Sequence, residues 1–396
     1  MLDIAAAQAA LQEFGFDGWL MVDFRGSNIL ARRVLGFEPK QFTSRRFAYC
    51  IPAQGPPRKL VHRIESEALD HLPGEKTVYL RWQEFEAGLQ TLLAGVKRPA
   101  MEYSPRNGNP YISRVDAGTI DLVRSFGCDP QSSGDLIQLF EATWDDEQIK
   151  SHFDAEAGTT SAYAAAWKFI ADRVRSAGEV RETEVQQRIM AHFAEHGLVT
   201  DHAPIVGVGP HSGDPHFAPS AANDGVIREG EFVLIDLWAK CERPRAVFSD
   251  LTRVGFVGAS VPEKYEKIFR IVAAARDAAV AKVKSAFAAN ELLYGGQVDD
   301  ACRQVIDDAG YGAYFVHRTG HNIGQETHGN GAHMDNLETR EDRRVLRRTC
   351  FSVEPGIYLP EFGVRSEINV FVDAAGEVHV TGGPLQTRVL PIMAEF

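Results

Sequence analysis

An α+β chain of two domains is the fold class that the sequence predicts, and three observations predict it. The 396 residues exceed the span of one ordinary domain. Hydrophobic residues make up 44% and charged residues 24%, a balance that suits packed globular domains and excludes a disordered, collagen-like or coiled-coil chain. The pattern also changes along the chain. Short strand-like runs alternate with helices at first, and longer helices and strand-rich tracts follow. The composition turns polar and turn-forming at Cys128-Asp-Pro-Gln-Ser-Ser-Gly134, so the boundary is expected between 130 and 145, with an N-terminal domain over 1–135 and a larger one over 145–396.

The opening MLDIAAAQAALQEFGFDGW carries Asp3 and Glu13 and no Lys or Arg ahead of its apolar residues, so it reads as an amphipathic first helix rather than a signal peptide. Asp17–Asp23 reads as a strand opened by a turn, and Phe47–Pro52 and Thr77–Trp82 as further short strands. A long helix is predicted from Asp145 to Ser176. Thr183-Glu-Val-Gln186 reads as the capping box of the next helix, in which Val185, Ile189 and His192 recur at helical spacing until Gly197 stops it. Asp201 to Val257 is strand-rich. Helices over Pro262–Ala289 and Gln297–Ala309 follow, then strands over Phe351–Tyr358, Gly363–Val372 and Val378–Val380. The larger domain is expected to place helices outside a largely antiparallel sheet.

The net charge of -12, from 42 basic and 54 acidic residues, repels phosphate backbones and anionic lipids, so neither nucleic acid nor a membrane is an expected partner. No run approaches 18 uninterrupted apolar residues. The five cysteines are odd in number, widely spaced and free of CxxC, which suits a reduced cytoplasmic protein and excludes a cysteine-based zinc site.

Several patterns bear on chemistry. His192-Phe-Ala-Glu195-His196 spells HxxEH, a zinc-peptidase pattern. The string is short, and both histidines share a face with Val185 and Ile189 near a helix end. A partly buried or C-terminal pair favoured by the helix dipole is therefore the expected reading. Neither Val206-Gly-Val-Gly-Pro210 nor Gly320-His-Asn-Ile-Gly324 is a dinucleotide fingerprint, and no GxSxG occurs. The stronger constellation is dispersed. Asp236 and Asp250 each interrupt an apolar strand and a hairpin can bring them together. His321 lies between Gly320 and Gly324, with His317 before it and His328 after. Glu354 and Glu367 are embedded in two further strands. Any one of these acids is explained by an edge position or a salt bridge. Four buried carboxylates together are costly unless paired or metal-bound, and with one imidazole they suit two divalent ions such as manganese, with cobalt, iron or zinc as competitors.

At these residues the chain resembles the pita-bread metallopeptidases, the group that includes aminopeptidase P, prolidase and creatinase. The resemblance rests on Asp236, Ser249-Asp250-Leu-Thr252, Gly320-His321-Asn-Ile-Gly324, Val353-Glu354-Pro-Gly-Ile-Tyr358 and Arg365-Ser-Glu367, in order over about 250 residues. The first domain is similar, more weakly, to the creatinase-type amino-terminal domain through Phe16–Val22 and Asn28-Ile-Leu-Ala31. The resemblance implies a pita-bread catalytic domain in which Asp236 binds one metal, Asp250 and Glu367 bridge both, and His321 and Glu354 complete the other. A bridging water or hydroxide would be the nucleophile, and Glu354 would also shuttle the proton. His216 and His328 would be catalytic histidines, His317 would line the substrate pocket, and Arg365 would orient a bridging carboxylate or receive a substrate carboxylate. It further implies a small peptide substrate, with proline expected after the first residue, and a homodimer. Trp238, Asn322, Gln325 and Gly329, with the hairpin Lys240–Arg245, depart from the group's pattern close to the expected substrate pocket. Two alternatives stand beside the peptidase. One is a metal-dependent hydrolase or lyase of a small non-peptide metabolite, and the other a non-catalytic binding protein on the same fold.

Overall fold

The computed structural model describes residues 2–38 and 40–396. The chain packs as two compact units, Met1–Glu141 and Ala142–Phe396.

The first unit contains helices α1 (Ile4–Phe14), α2 (Ile29–Val34), α3 (Trp82–Leu92), α4 (Ala117–Ser125) and α5 (Gly134–Glu141). Its strands are β1 (Gly18–Asp23), β2 (Phe47–Pro52), β3 (Arg58–His62), β4 (Glu75–Tyr79), β5 (Pro99–Met101) and β6 (Gln131–Ser132). The six strands form one mixed sheet in the order β4-β3-β2-β1-β5-β6. Every residue of β1 is buried because helices cover both sheet faces. Trp19 and Met21 pack with Ala7 and Leu11 of α1, while Leu20 and Val22 pack with Leu89 and Ile120 on the other side. The strand expected over Thr77–Trp82 ends at Tyr79, and Trp82 opens α3 instead. The Glu84 carboxylate explains the change: it accepts from the backbone N–H of Leu80 and of Arg81, which starts a helix where apolar composition suggested a strand. Behind β5 the fully buried Glu102 accepts from Trp19 Nε1 at 2.7 Å, Asn28 Nδ2 at 2.7 Å and Ser133 Oγ at 3.1 Å.

The second unit begins with α6 (Asp146–Ala177), capped by Asp145 and Gln148, each of which accepts from the other's backbone N–H. Then come β7 (Glu179–Arg181), α7 (Glu182–Glu195), β8 (Leu198–Val199), β9 (Ile205–Val208), β10 (Val226–Arg228), β11 (Phe232–Cys241) and β12 (Ser249–Phe256). Helices α8 (Glu263–Ala288) and α9 (Gly295–Asp308) follow. The remaining strands are β13 (Asn322–Ile323), β14 (Thr349–Val353), β15 (Gly356–Tyr358), β16 (Gly363–Arg365), β17 (Ile368–Val372), β18 (Val378–Thr381) and β19 (Leu390–Pro391). The capping box expected at Thr183 lies two residues further on than the real N-cap, Arg181. Asp224 takes both the Thr183 N–H and its hydroxyl, and Glu184 reaches back to the Arg181 N–H.

The sheets of this unit are antiparallel apart from the β12–β19 pair. Alternation along β11 sorts its side chains. Val233, Ile235 and Leu237 pack toward Tyr163 and Trp167 of α6. Phe232 and Leu234 pack toward Phe269 and Val272 of α8. Asp236 and Trp238 continue this second face, and across the hairpin Val254, Thr252 and Asp250 continue it on β12. One sheet face is therefore apolar core at one end and carboxylate-bearing at the other.

Two strands expected as continuous are interrupted. The run Phe351–Tyr358 breaks at Glu354-Pro355, and Gly363–Val372 breaks at Ser366-Glu367. Pro355 has no N–H for a ladder, and the two glutamate N–H groups leave their strands for the carbonyls of Thr319 (2.7 Å) and Thr252 (3.1 Å).

Replacing Glu102 by Ala should strand the Trp19 indole N–H and the Asn28 amide in the first unit's core. The expected cost is about 3 kcal/mol. It should appear as a lower denaturant midpoint for that unit; an unchanged midpoint would show that the buried carboxylate contributes nothing net.

Candidate metal centre

The β11–β12 hairpin supplies the first two acids. Asp236 lies opposite Thr252 and Trp238 opposite Asp250, so the aspartates are diagonal neighbours on one face rather than a facing pair. The two glutamates come from the strand breaks described above. His321 comes from the segment entering β13. Its N–H donates to Ser352 Oγ at 2.9 Å, and its carbonyl accepts from the Ser352 N–H at 2.8 Å. Gly320 precedes it because a Cβ there would lie 1.9 Å from the Ser352 carbonyl oxygen.

These elements converge. His321 Nε2 lies 3.4 Å from Asp250 Oδ2 and 3.5 Å from Glu354 Oε1. Asp250, His321 and Glu367, all buried, each offer a ligand atom within 4.8 Å of the others. Arg365 Nη2 donates to Asp236 Oδ2, its Nε to Thr252 Oγ1 at 2.9 Å, and the Thr252 hydroxyl donates to Glu367 Oε2 at 2.7 Å. Asn369 grips the Asp250 backbone from both sides, accepting from its N–H at 3.1 Å and donating to its carbonyl.

The electrostatics are those of crowded like charges out of water. Burial, and then the charges of Asp236 and Glu354, push Asp250 well above the carboxylate range. Burial, and then Asp250 and Glu354, do the same to Glu367. Burial raises Asp236 against the opposing pull of Arg365, and it raises Glu354 to about 7. His321 is held well below its ordinary value by burial and then by His328. Asp236 Oδ1 is buried with no hydrogen-bond partner. Four carboxylates, a neutral imidazole and an orphaned carboxylate oxygen are the donors a pair of divalent cations requires, so the residues present fit the metal the sequence implies.

The other candidate residues stand around this cluster. His317 donates or accepts through Nε2 with the Tyr358 hydroxyl at 2.7 Å, and that hydroxyl accepts from Arg365 Nη1 at 3.1 Å. Burial pushes His317 down to about 3. His328 keeps an exposed edge and meets the His321 ring nearly edge-on, centroids 4.2 Å apart. His216 is exposed in the loop after Gly213, and Arg365 Nη1 reaches the Pro215 carbonyl beside it at 3.3 Å. His333 is fully buried, where its Nδ1 accepts from the Asn322 N–H at 3.1 Å. His192 and His196 lie apart, on the last turn of α7.

The departures from the family pattern have local explanations. Asn322 donates to the Cys350 carbonyl and accepts from the Gly331 N–H, each at 2.9 Å, which pins the loop carrying His328. A Cβ on Gly329 would lie 2.3 Å from the Asn322 side-chain oxygen, so that side chain and the glycine belong together. The Trp238 indole donates to Asp201 Oδ1 at 2.6 Å. Lys240 donates to the Gln325 carbonyl at 2.6 Å. The supporting roles of Thr252, Ser352, Tyr358 and Asn369 were not read from the sequence. The first three sit inside or beside the quoted motifs, and Asn369 lies two residues after Glu367, on the pleat spacing that keeps it beside the site.

Residues 155–374 match the model of metallopeptidase family M24. The chain is 34% identical over 189 residues to an Xaa-Pro dipeptidase of Lactobacillus delbrueckii subsp. lactis, covering 48% of this chain and 47% of that protein. It is 26% identical over 401 aligned positions to the "Probable dipeptidase PepE" of Mycobacterium bovis, covering 98% and 96%. Among solved structures, dipeptidase PepE from Mycobacterium ulcerans superposes with a TM-score of 0.68 at 24% identity, covering 98% of this chain and 96% of that one. A prolidase from Thermococcus sibiricus gives 0.58 at 24% identity, covering 98% and 97%. The fold is the pita-bread fold of these proteins. Among the described residues, no helix is long and apolar enough to cross a membrane, and all five cysteines are free.

Two outcomes follow from this geometry. Thr252→Val removes the hydroxyl that links Arg365 to Glu367 and should weaken metal affinity by roughly 10–100-fold. Metal titration with circular dichroism as a fold control checks this, and unaltered affinity would remove Thr252 from the supporting network. The second outcome concerns pH. Carboxyl groups with raised folded values let the metal-stripped folded chain keep protons that the unfolded chain releases. That stability is fully present below about pH 4, where unfolded carboxylates titrate, and is lost as pH rises through the folded values, about 7 for Glu354. Above about pH 7 unfolded histidines are already neutral and no longer oppose the trend. Metal-stripped protein should therefore melt at lower temperature as pH rises from about 7 to about 8.5, and saturating manganese should flatten that slope.

Proposed function

We propose that this chain, which belongs to metallopeptidase family M24, is a dinuclear metal-dependent peptidase that hydrolyses the N-terminal peptide bond of short peptides carrying proline in the second position. The observation that carries the proposal is the convergence of Asp250, His321 and Glu367, beside Asp236 and Glu354, at one end of a sheet face that is otherwise core. Proline specificity draws its support from the relatives named Xaa-Pro dipeptidase.

Asp236, Asp250, His321, Glu354 and Glu367 would hold two divalent ions, manganese foremost, which supply Lewis-acid polarisation of the scissile carbonyl and a water acidic enough to attack at neutral pH. The chain's own residues do the rest. Glu354, whose carboxyl receives the Ser352 hydroxyl at 3.2 Å, takes the proton of the attacking water and returns it to the leaving nitrogen. His328, against His321, and His216, at the rim, present N–H groups toward the oxygen on which charge develops. Arg365 keeps Asp236 oriented and, through Tyr358, fixes the ring of His317 on the substrate side. These contacts are made before substrate arrives, so little reorganisation accompanies the reaction.

Protein loaded with manganese should release the N-terminal amino acid from Xaa-Pro and from Xaa-Pro-Yaa, and a chelator should stop it. Glu354→Gln should lower kcat by roughly 10²–10⁴-fold. Absence of release from protein confirmed to hold metal would overturn the Xaa-Pro assignment and direct the search to small non-peptide amides.

A further inference from the structure

The α7 terminus carries a second set of donors that the peptidase chemistry does not use. His192, Glu195 and His196 each offer a ligand atom within 4.8 Å of the others, and the two imidazole rings stack with centroids 3.9 Å apart. The sequence suggested a dipole-favoured pair at a helix end, and both rings lie there. Their hydrogen bonds add something the sequence did not show. His196 Nδ1 lies 2.8 Å from the His192 carbonyl oxygen. A carbonyl only accepts, so Nδ1 carries the proton and Nε2 keeps its lone pair. His192 Nε2 lies 2.8 Å from Ser161 Oγ, whose own hydrogen is directed to the Gly158 carbonyl at 3.0 Å. With that hydrogen on the Gly158 carbonyl, the hydroxyl oxygen accepts from Nε2–H and Nδ1 of His192 keeps its lone pair.

Each ring thus has one nitrogen tied to a fixed oxygen and one left basic. This is the arrangement by which outer contacts set the tautomer of a metal-binding histidine. Glu195 has a 3.4 Å contact from Arg188 Nη1 to one carboxylate oxygen and is otherwise exposed. The C-terminal end of the helix favours a cation.

We propose that His192, Glu195 and His196 form an auxiliary site for a borderline divalent cation of the zinc class, separate from the catalytic centre. Two imidazoles and one carboxylate make a nitrogen-rich set, which prefers zinc, nickel or copper to manganese, whereas the oxygen-rich centre suits manganese. Three protein ligands leave a further position to water. A cation held there would tie the end of α7, whose His192 is bonded to Ser161 of α6, and would stabilise the folded chain by mass action.

The full chain, pre-loaded with manganese, would be dialysed against micromolar zinc and its bound zinc counted, beside His196→Ala and Glu195→Gln treated identically. Any exchange at the catalytic centre is common to all three and cancels. The expected result is one zinc equivalent fewer in His196→Ala, weaker binding of that equivalent in Glu195→Gln, and a zinc-dependent rise in melting temperature that wild type shows and His196→Ala lacks. Turnover with manganese should be the same in all three. His196 and Glu195 are exposed at a helix end, so both variants should fold. Equal zinc content in wild type and His196→Ala, or a difference that emerges only at millimolar zinc, would overturn the proposal.

Discussion

Gathering four carboxylates out of water around one imidazole is the constraint on which the second unit's architecture turns. Burial raises the pKa of Asp236, Asp250, Glu354 and Glu367, and the charges of neighbouring carboxylates raise Asp250, Glu354 and Glu367 further. Their repulsion is tolerable only with opposing charge close by. Arg365 supplies part of it, buried against Asp236 and held at its other nitrogens by Thr252, Tyr358 and the Pro215 carbonyl. The remainder calls for bound cations. Under the proposed function stability and activity are coupled, because the groups proposed to hold metal are the groups that strain the fold without it.

The fold meets this constraint by dividing the labour along one sheet face. Near α8 the face is Phe232, Leu234, Val254 and Phe256, packed as core. Two or four residues further along the same pleats, it is Asp236, Asp250 and Thr252. The apolar end anchors the strands, so the polar end needs little backbone adjustment to hold its side chains in place. The two glutamates are placed differently. They stand where strands are cut, and their backbone N–H groups bond outside the ladder to Thr319 and Thr252. A strand break frees a side chain from strict alternation, which lets Glu354 and Glu367 turn toward acids on a different sheet.

Around the acids, small neutral side chains hold position rather than react. Ser352 bonds both His321 and Glu354, Asn369 holds the Asp250 backbone, and Asn322 pins the loop that brings His328 against His321. The glycines flanking these residues are required by close approach, as Gly320 over Ser352 and Gly329 against Asn322 show. Departures from the family's usual residues are thus compensated locally: Asn322 and Gly329 form one packing solution, and Trp238 finds its partner in Asp201.

Much of this was legible in the sequence because it depends on residue type and order. The α+β class follows from the change of pattern along the chain, the long α6 from the helical stretch over Asp145–Ser176, and the five candidate metal ligands from acids and a histidine set in apolar or glycine-rich surroundings, where an unpaired charge is costly. Periodicity could not reveal where strands end when the ending is caused by a remote partner. Glu84 converts Trp82 to a helix start, Asp224 claims Thr183, and Thr319 and Thr252 draw Glu354 and Glu367 out of their strands. The register of β11 on β12 likewise made Asp236 and Asp250 diagonal rather than facing. The sequence by itself determined which side chains are candidates for the proposed chemistry and in what order they occur. Only the tertiary structure decided which of them meet, because meeting depends on hydrogen bonds between segments over a hundred residues apart, such as the Thr252 hydroxyl with Glu367 and the Asp250 N–H with the Asn369 side chain.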